Sequence, residues 1–226
     1  MDHRVPQAVW SALKTSIEQP SLFVPSASAL TWEAFGVLPH PPADYKPVYE
    51  RMKALVAARQ ADDIGDTILY GEHAPVFTTG RNTDANHLPR HLPLSGCEIP
   101  IVPIERGGSI TYHGPGQAVM YPILKLNNGQ RDLHAYLRWL EEVCITALAA
   151  LGQQSHRYKK DDTNTTGVWV TKNDNPPQKI ASVGVAVSRW VTYHGLALNV
   201  ACDLSPNQLI FPCGFGAEVM TTIALQ

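Results

Sequence analysis

The sequence predicts a mixed α/β fold of the α+β kind, built as a single domain, and three observations carry that expectation. The first is an apolar stripe at helical spacing formed by Leu133, Leu137, Leu140, Cys144, Leu148 and Leu151. The second is β-branched alternation through GVWV, KIASVGVAVSRW and VTYHGLALNV, from Gly167 to Val200. The third is a set of short strand-like runs ahead of both, with a helical segment interposed, an order of elements that calls for a sheet covered by helices. A chain of 226 residues is long enough to bury one sizeable core.

Residues 1–30 are rich in Ser and Pro with little periodicity, so they read as an N-terminal extension ahead of a domain at 31–226. Val48, Met52, Leu55 and Val56 recur at helical spacing and predict an amphipathic helix over 46–60. DTILY and APVFTTGR then read as short strands on either side of Glu72-His73, and EIPIVPIE reads as a third. Between Arg106 and Leu126, RGGSITYHGPGQAVMYPILKL sets four glycines around a Tyr-His pair and runs into another strand. Glycine at that density allows sharp turns or close approach of backbone to something else. Asp132 is placed to cap the long helix and Gly152 to end it. The strands that follow are separated by the loop NDNPPQ and by a tight turn at Arg189-Trp190, which predicts an antiparallel meander.

Charge narrows the function classes. The chain has 18 Lys and Arg against 20 Asp and Glu, a net charge of −2, so neither a nucleic-acid partner nor an acidic tail is indicated. Residues 106–226 carry 10 basic and 8 acidic side chains, a mild bias toward acidic partners. No apolar run approaches the roughly 20 residues of a membrane span, and no secretory h-region opens the chain, so a cytoplasmic location without membrane contact is expected. An organellar address in residues 1–30 is the alternative, opposed by Asp2, Glu18 and the scarcity of Arg.

The four cysteines, Cys97, Cys144, Cys202 and Cys213, show no CxxC spacing. Cys144 lies on the helical stripe and reads as a small core hydrophobe. Cys213, in FPCGFG, sits in a turn that presents its side chain and leaves the following N–H free to hold an oxyanion. A thiol with a pKa of about 8.5 needs a nearby cation or base to react at neutral pH, and Lys179, His113 and His194 are the candidates. The bland alternatives are a loop cysteine, a solvated lysine and hydrogen-bonded turn histidines. His87 and His91 have metal-pair spacing, but Pro89 lies between them and a third ligand is missing, so no metal is expected. Arg157, Lys159 and Lys160 form a basic cluster, either a docking patch or a solvated loop.

EHAPVFTTGR, RGGSITYHGPGQAVMYPI, GVWV, KIASVGVAVSRWVTYHGLALNV and FPCGFG, in that order across about residues 32–222, resemble the lipoyl(octanoyl) transferases. The resemblance implies the fold of the biotin and lipoate protein ligase catalytic domains. It also implies an acyltransferase that moves an octanoyl group from octanoyl-acyl carrier protein to a lysine of lipoyl domains, those of 2-oxoacid dehydrogenase complexes and of the glycine cleavage H protein. Cys213 then matches the nucleophile that carries a thioester, and Lys179 the lysine that lowers its pKa. Arg106, Gly107, Gly108, Ser109, Ile110, Thr111, Tyr112 and His113 match an acyl-binding segment. Ser182, Val183 and Gly184 match a second segment, and Gly195, Leu196 and Ala197 a third. Passing from thioester to amide is downhill, so no cofactor is implied. The chain ends 13 residues after Cys213, earlier than the resemblance leads one to expect, which implies a domain shortened at its C-terminus. Three readings compete: an ATP-dependent lipoate or biotin ligase of the same fold, a non-catalytic binder of lipoyl domains or acyl carriers, and a cysteine hydrolase.

Overall fold

A computed structural model describes residues 3–24, 30–84, 99–160, 163–173, 175–210 and 219–226. The elements run α1 (Gln7–Ile17), β1 (Thr31–Phe35), α2 (Tyr45–Gln60), β2 (Thr67–Gly71), β3 (Val76–Thr79), β4 (Ile101–Pro103), β5 (Ile110–His113), β6 (Gln117–Ile123), α3 (Leu133–Ala150), β7 (His156–Lys160), β8 (Thr163–Val170), β9 (Gln178–Ser188) and β10 (Val191–Asn199). Seven strands form one sheet in the order β1-β2-β6-β10-β9-β8-β7, and three form a second in the order β4-β3-β5. The expected α+β architecture is therefore present.

The predicted meander is present as β8, β9 and β10, which pair antiparallel in sequence order, and β7, whose residues the sequence offered only as a basic cluster, adds a fourth antiparallel strand at the sheet edge. Arg189 and Trp190 both take positive φ, 48° and 61°, the twist a two-residue hairpin turn needs. On the other side β1 runs parallel to β2, with α2 making the crossover that parallel neighbours require. β6 and β10 lie at the centre and are buried at every position.

Strand periodicity divides the core. Ile68, Ala118, Met120, Leu196 and Leu198 face α1 and α3, while Leu69, Val119, Tyr121, Ile123, Tyr193 and Ala197 face α2 with Val48, Met52, Leu55 and Val56. Cys144 is completely buried in the α3 layer, as the stripe predicts. The Asp132 carboxylate caps α3 by accepting from the amides of His134 at 2.9 Å and Ala135 at 3.0 Å. Asp132→Ala should cost about 1 kcal/mol, read as a lowered denaturant midpoint with octanoyl transfer unchanged.

Residues 1–30 differ from the expected extension. Residues 7–17 form α1, which packs on α3 and buries Val9, Trp10, Leu13 and Ile17 in the shared core. These positions do have helical spacing, but the Ser- and Pro-rich flanks mask it. Completely buried Glu72 fastens the approach to α1 by accepting from Arg4 Nε at 3.0 Å, the Val5 amide at 3.3 Å and the Gly116 amide at 2.8 Å.

Candidate active site

The glycine-rich segment that opens at Arg106 is a loop leading into β5, wedged between the two sheets. The Gly107 amide donates to Val185 O on β9 at 3.0 Å, and the amides of Arg81 and Asn82, past the end of β3, donate to Arg106 O at 3.0 Å and Gly108 O at 3.1 Å. Gly108 holds φ +82°, a backbone state open to glycine at little cost. The Arg106 side chain is buried and turned inward. Its guanidinium donates to Gly107 O (3.1 Å), Ser109 O (2.8 Å), Thr78 O (2.9 Å) and Thr78 Oγ1 (2.8 Å), so it works as a bracket between loop and strand.

Against this loop lies a cavity of about 490 Å³, including the part open to solvent. Three sequence-predicted segments line it: Arg106, Gly107, Gly108, Thr111 and His113; Ser182, Val183 and Gly184; and Gly195, Leu196 and Ala197. The last two segments are opposite one another in register, Gly184 beside Gly195, Val183 beside Leu196 and Ser182 beside Ala197, which explains how they come to share a wall. Lys179 is on the same wall with 3% exposure, its ammonium 5.7 Å from the Trp169 ring centroid.

Part of the first segment does not reach the cavity. Ser109, Ile110 and Tyr112 are off its wall; Ile110 and Tyr112 pack instead with Phe77 and Ile210. Strand alternation is the reason: β5 sends Thr111 and His113 to one side and Ile110 and Tyr112 to the other. Conversely, Tyr45, Ile104 and Tyr121 line the cavity without having been singled out in the sequence. A tyrosine in the apolar run AVMYPI was the one available signal.

Three histidines, His73, His113 and His194, are buried, and burial disfavours their charged form. Burial depresses His113 to about 4, with the nearby Arg106 charge adding to it and the Gln117 hydrogen bond opposing. Its Nδ1 pairs with Gln117 Oε1 at 2.7 Å and its Nε2 with Thr78 Oγ1 at 3.2 Å. Gln117 in turn donates to Asn199 Oδ1 at 2.9 Å, and Asn199 donates to Thr221 O at 3.0 Å. His194 takes φ +56°, which breaks the alternation of β10 and brings its ring against Tyr49 and Tyr121 on the α2 face. Burial, then the Arg106 charge, lowers it to about 3. His73 follows the structural alternative, with Nε2 2.8 Å from the Tyr121 hydroxyl, and burial lowers it to about 3. At the rim, burial pushes Glu105 up, but hydrogen bonds from Tyr49 and Lys53 outweigh it and hold the carboxylate at about 2.

Burial raises the thiols of Cys144 and Cys202 to about 12, so neither supplies a thiolate near neutral pH. Cys97, Cys213, His87 and His91 lie outside the described residues. The described chain flanking Cys213 ends at Ile210, packed with β5 residues Ile110 and Tyr112, and resumes just before Met220, which bridges to Lys179; the Thr221 amide donates to Lys179 O at 3.1 Å. Arg157 belongs to strand β7 rather than to a loop, and its guanidinium donates to Glu141, Glu142 and Arg138 O.

Residues 44–225 match the lipoyl protein ligase A/B catalytic domain, and the chain belongs to that family. The fold agrees: protein Ta0514 of T. acidophilum superimposes with a TM-score of 0.59 at 15% identity over 86% of this chain and 75% of that one. Lipoate-protein ligase A bound with ATP gives 0.56 at 15% identity, over 86% of this chain and 75% of its own. At the level of sequence the likeness is to octanoyltransferases. That of Geobacter sulfurreducens is 45% identical over 77% of this chain and 67% of its own length, and that of Gloeobacter violaceus 43% identical over 80% and 76%. A chloroplastic octanoyltransferase of Arabidopsis thaliana is 42% identical over 75% of this chain and 56% of its own length. The chain is an acyltransferase whose activity is octanoyl transfer in protein lipoylation.

Proposed function

We propose that octanoyl transfer proceeds through a thioester on Cys213, with octanoyl-acyl carrier protein as donor and a lysine of a lipoyl domain as acceptor. The observation that carries the reading is Lys179, a lysine buried on the wall of the cavity that the Gly107-Gly108, Ser182–Gly184 and Gly195–Ala197 segments share. A cation beside a thiol favours the thiolate, and glycine-lined backbone admits an alkyl chain where side chains would fill the space.

In the first step the Cys213 thiolate attacks the donor carbonyl carbon, a C–S bond forms to the enzyme, and the pantetheine C–S bond breaks as its sulfur takes a proton from the Lys179 ammonium, leaving Lys179 neutral for the second step. Backbone N–H groups near Gly214 meet the tetrahedral oxyanion. In the second step the acceptor ε-amine attacks the thioester, the new C–N bond replaces the C–S bond, and the amine proton passes to Lys179 or a neighbouring histidine. His113 orients the reacting groups. The acceptors are the lipoyl domains of 2-oxoacid dehydrogenase complexes and the glycine cleavage H protein. In keeping with this, a bi-partite lipoate protein ligase from Thermoplasma acidophilum, TM-score 0.51, is described with its E2 lipoyl domain. The reading carries a cytoplasmic location; among the described residues no helix is long and apolar enough to cross a membrane.

Intact-mass spectrometry with octanoyl-acyl carrier protein and no ATP tests it. A hydroxylamine-labile octanoyl adduct should form on the unmodified enzyme, be absent from Cys213→Ser, and form slowly on Lys179→Ala. Octanoyl transfer to a lipoyl domain by Cys213→Ser at the unmodified rate overturns the thioester route.

A further inference from the structure

Glu141 is a completely buried carboxylate on α3 that does not line the cavity. Its Oε2 accepts from Arg138 at 2.7 Å and from Arg157 Nε at 3.1 Å, and its Oε1 accepts from the Gly167 amide at 2.8 Å. Burying a carboxylate is costly even when it is well paired, and an apolar side chain in its place would often serve stability as well. The question is what the Gly167 contact does.

Gly167 lies on β8 directly beneath the Lys179 side chain. A Cβ there would stand 2.5 Å from Lys179 Cε, 3.2 Å from Lys179 Nζ and 2.6 Å from Ala181 O, and φ at this position is +129°, a conformation that side chains rarely adopt. Next to it the β8–β9 register slips: Val168 is opposite Ala181 while Trp169 is opposite Lys179, so Ile180 is the extra residue of a bulge. Ile180 and Ala181 both enter the α3-side core, which breaks the strict alternation that would otherwise set the direction of Lys179. The Gly167 amide stands outside the paired β8–β9 positions and is satisfied by Glu141.

We propose that Glu141 is a positioning residue for Lys179: by holding the Gly167 amide at the bulge it keeps open the groove along which the Lys179 stem reaches the cavity. Arg138 and Arg157 fix the carboxylate so that it offers Oε1 to that amide. The inference rests on the role given to Lys179 above.

The test is the pH dependence of octanoyl-adduct formation in single turnover, compared across the unmodified enzyme, Lys179→Ala, Glu141→Ala, Glu141→Gln and Gly167→Ala. If Lys179 favours the thiolate, Lys179→Ala moves the rising midpoint upward by about one pH unit or more. Glu141→Ala and Gly167→Ala should move it in the same direction, whereas Glu141→Gln, which keeps an acceptor for the Gly167 amide, should leave it within a few tenths of a unit. A Glu141→Ala midpoint at the unmodified value, beside a shifted Lys179→Ala, overturns the positioning role alone, whatever Gly167→Ala does. An unshifted Lys179→Ala overturns the reading on which it rests. Should Glu141→Ala not fold, Glu141→Met, which also removes the acceptor for the Gly167 amide, takes its place: an upward shift supports the proposal and an unshifted midpoint refutes it.

Discussion

Arg106→Ala should lower kcat/KM for octanoyl transfer by about 100-fold or more and the free energy of unfolding by about 3 kcal/mol. Both effects come from one bracket. The guanidinium serves three backbone carbonyls, Thr78 O, Gly107 O and Ser109 O, and the Thr78 hydroxyl, in a region with little access to water. Hydrogen bonds to a charged donor are worth about 1.5–3 kcal/mol each, and a buried carbonyl left without a donor adds its own desolvation cost. The same bonds hold the backbone of Gly107 and Gly108, which lines the cavity. A displacement on the order of 1 Å of such a wall is enough for the loss in rate. Arg106→Lys should recover only part of either quantity, because a point ammonium cannot reproduce a fork that reaches carbonyls on both sides. Denaturant melts and kcat/KM on the two variants check this; an alanine variant with unmodified kcat/KM would show that the bracket is irrelevant to the site.

How much of this was legible in the sequence depends on the range over which each feature is specified. The α3 stripe at Leu140, Cys144 and Leu148, its Asp132 cap and the β8–β10 meander are local patterns present in the structure, whereas Leu133, at the start of the stripe, is exposed and β7 showed no strand pattern. The helix α1 was obscured because four apolar positions in Ser- and Pro-rich surroundings gain their meaning only from α3, which covers them. The separation of β3, β4 and β5 into a sheet of their own is likewise set by long-range pairing.

The candidate site divides in the same way. The glycine segments and Lys179 stand out as motifs, and cross-strand register then brings Gly184 beside Gly195. Tyr45 and Tyr121 join them from α2 and β6, where a tyrosine looks locally like any other buried aromatic residue. No local rule announces that His194 adopts φ +56° and turns its ring to the α2 face. Nor does spacing reveal that Arg157 is taken by Glu141 and Glu142.

Those buried histidines also make the fold acid-sensitive. In the folded chain His73 and His194 titrate at about 3 and His113 at about 4, in each case mainly because burial disfavours the charged ring, while in the unfolded chain a histidine titrates near 6.5. Below pH 6.5 the unfolded state therefore binds protons that the folded state refuses. Stability is complete above that pH and falls as the pH drops toward 4. At pH 5 each histidine removes about 2 kcal/mol, and the three together remove about 6 kcal/mol, a large part of a typical domain's stability. Glu105, held at about 2, adds a loss in the same direction only below its ordinary carboxylate range. Guanidinium midpoints should accordingly drop steeply between pH 7.5 and pH 5. His194→Asn removes one titrating ring and substitutes a residue that tolerates positive φ, so its loss over the same interval should be smaller by about 2 kcal/mol. A midpoint that stays constant down to pH 5 in the unmodified chain would mean that these rings take up protons in the folded state as easily as in the unfolded one, contrary to their burial.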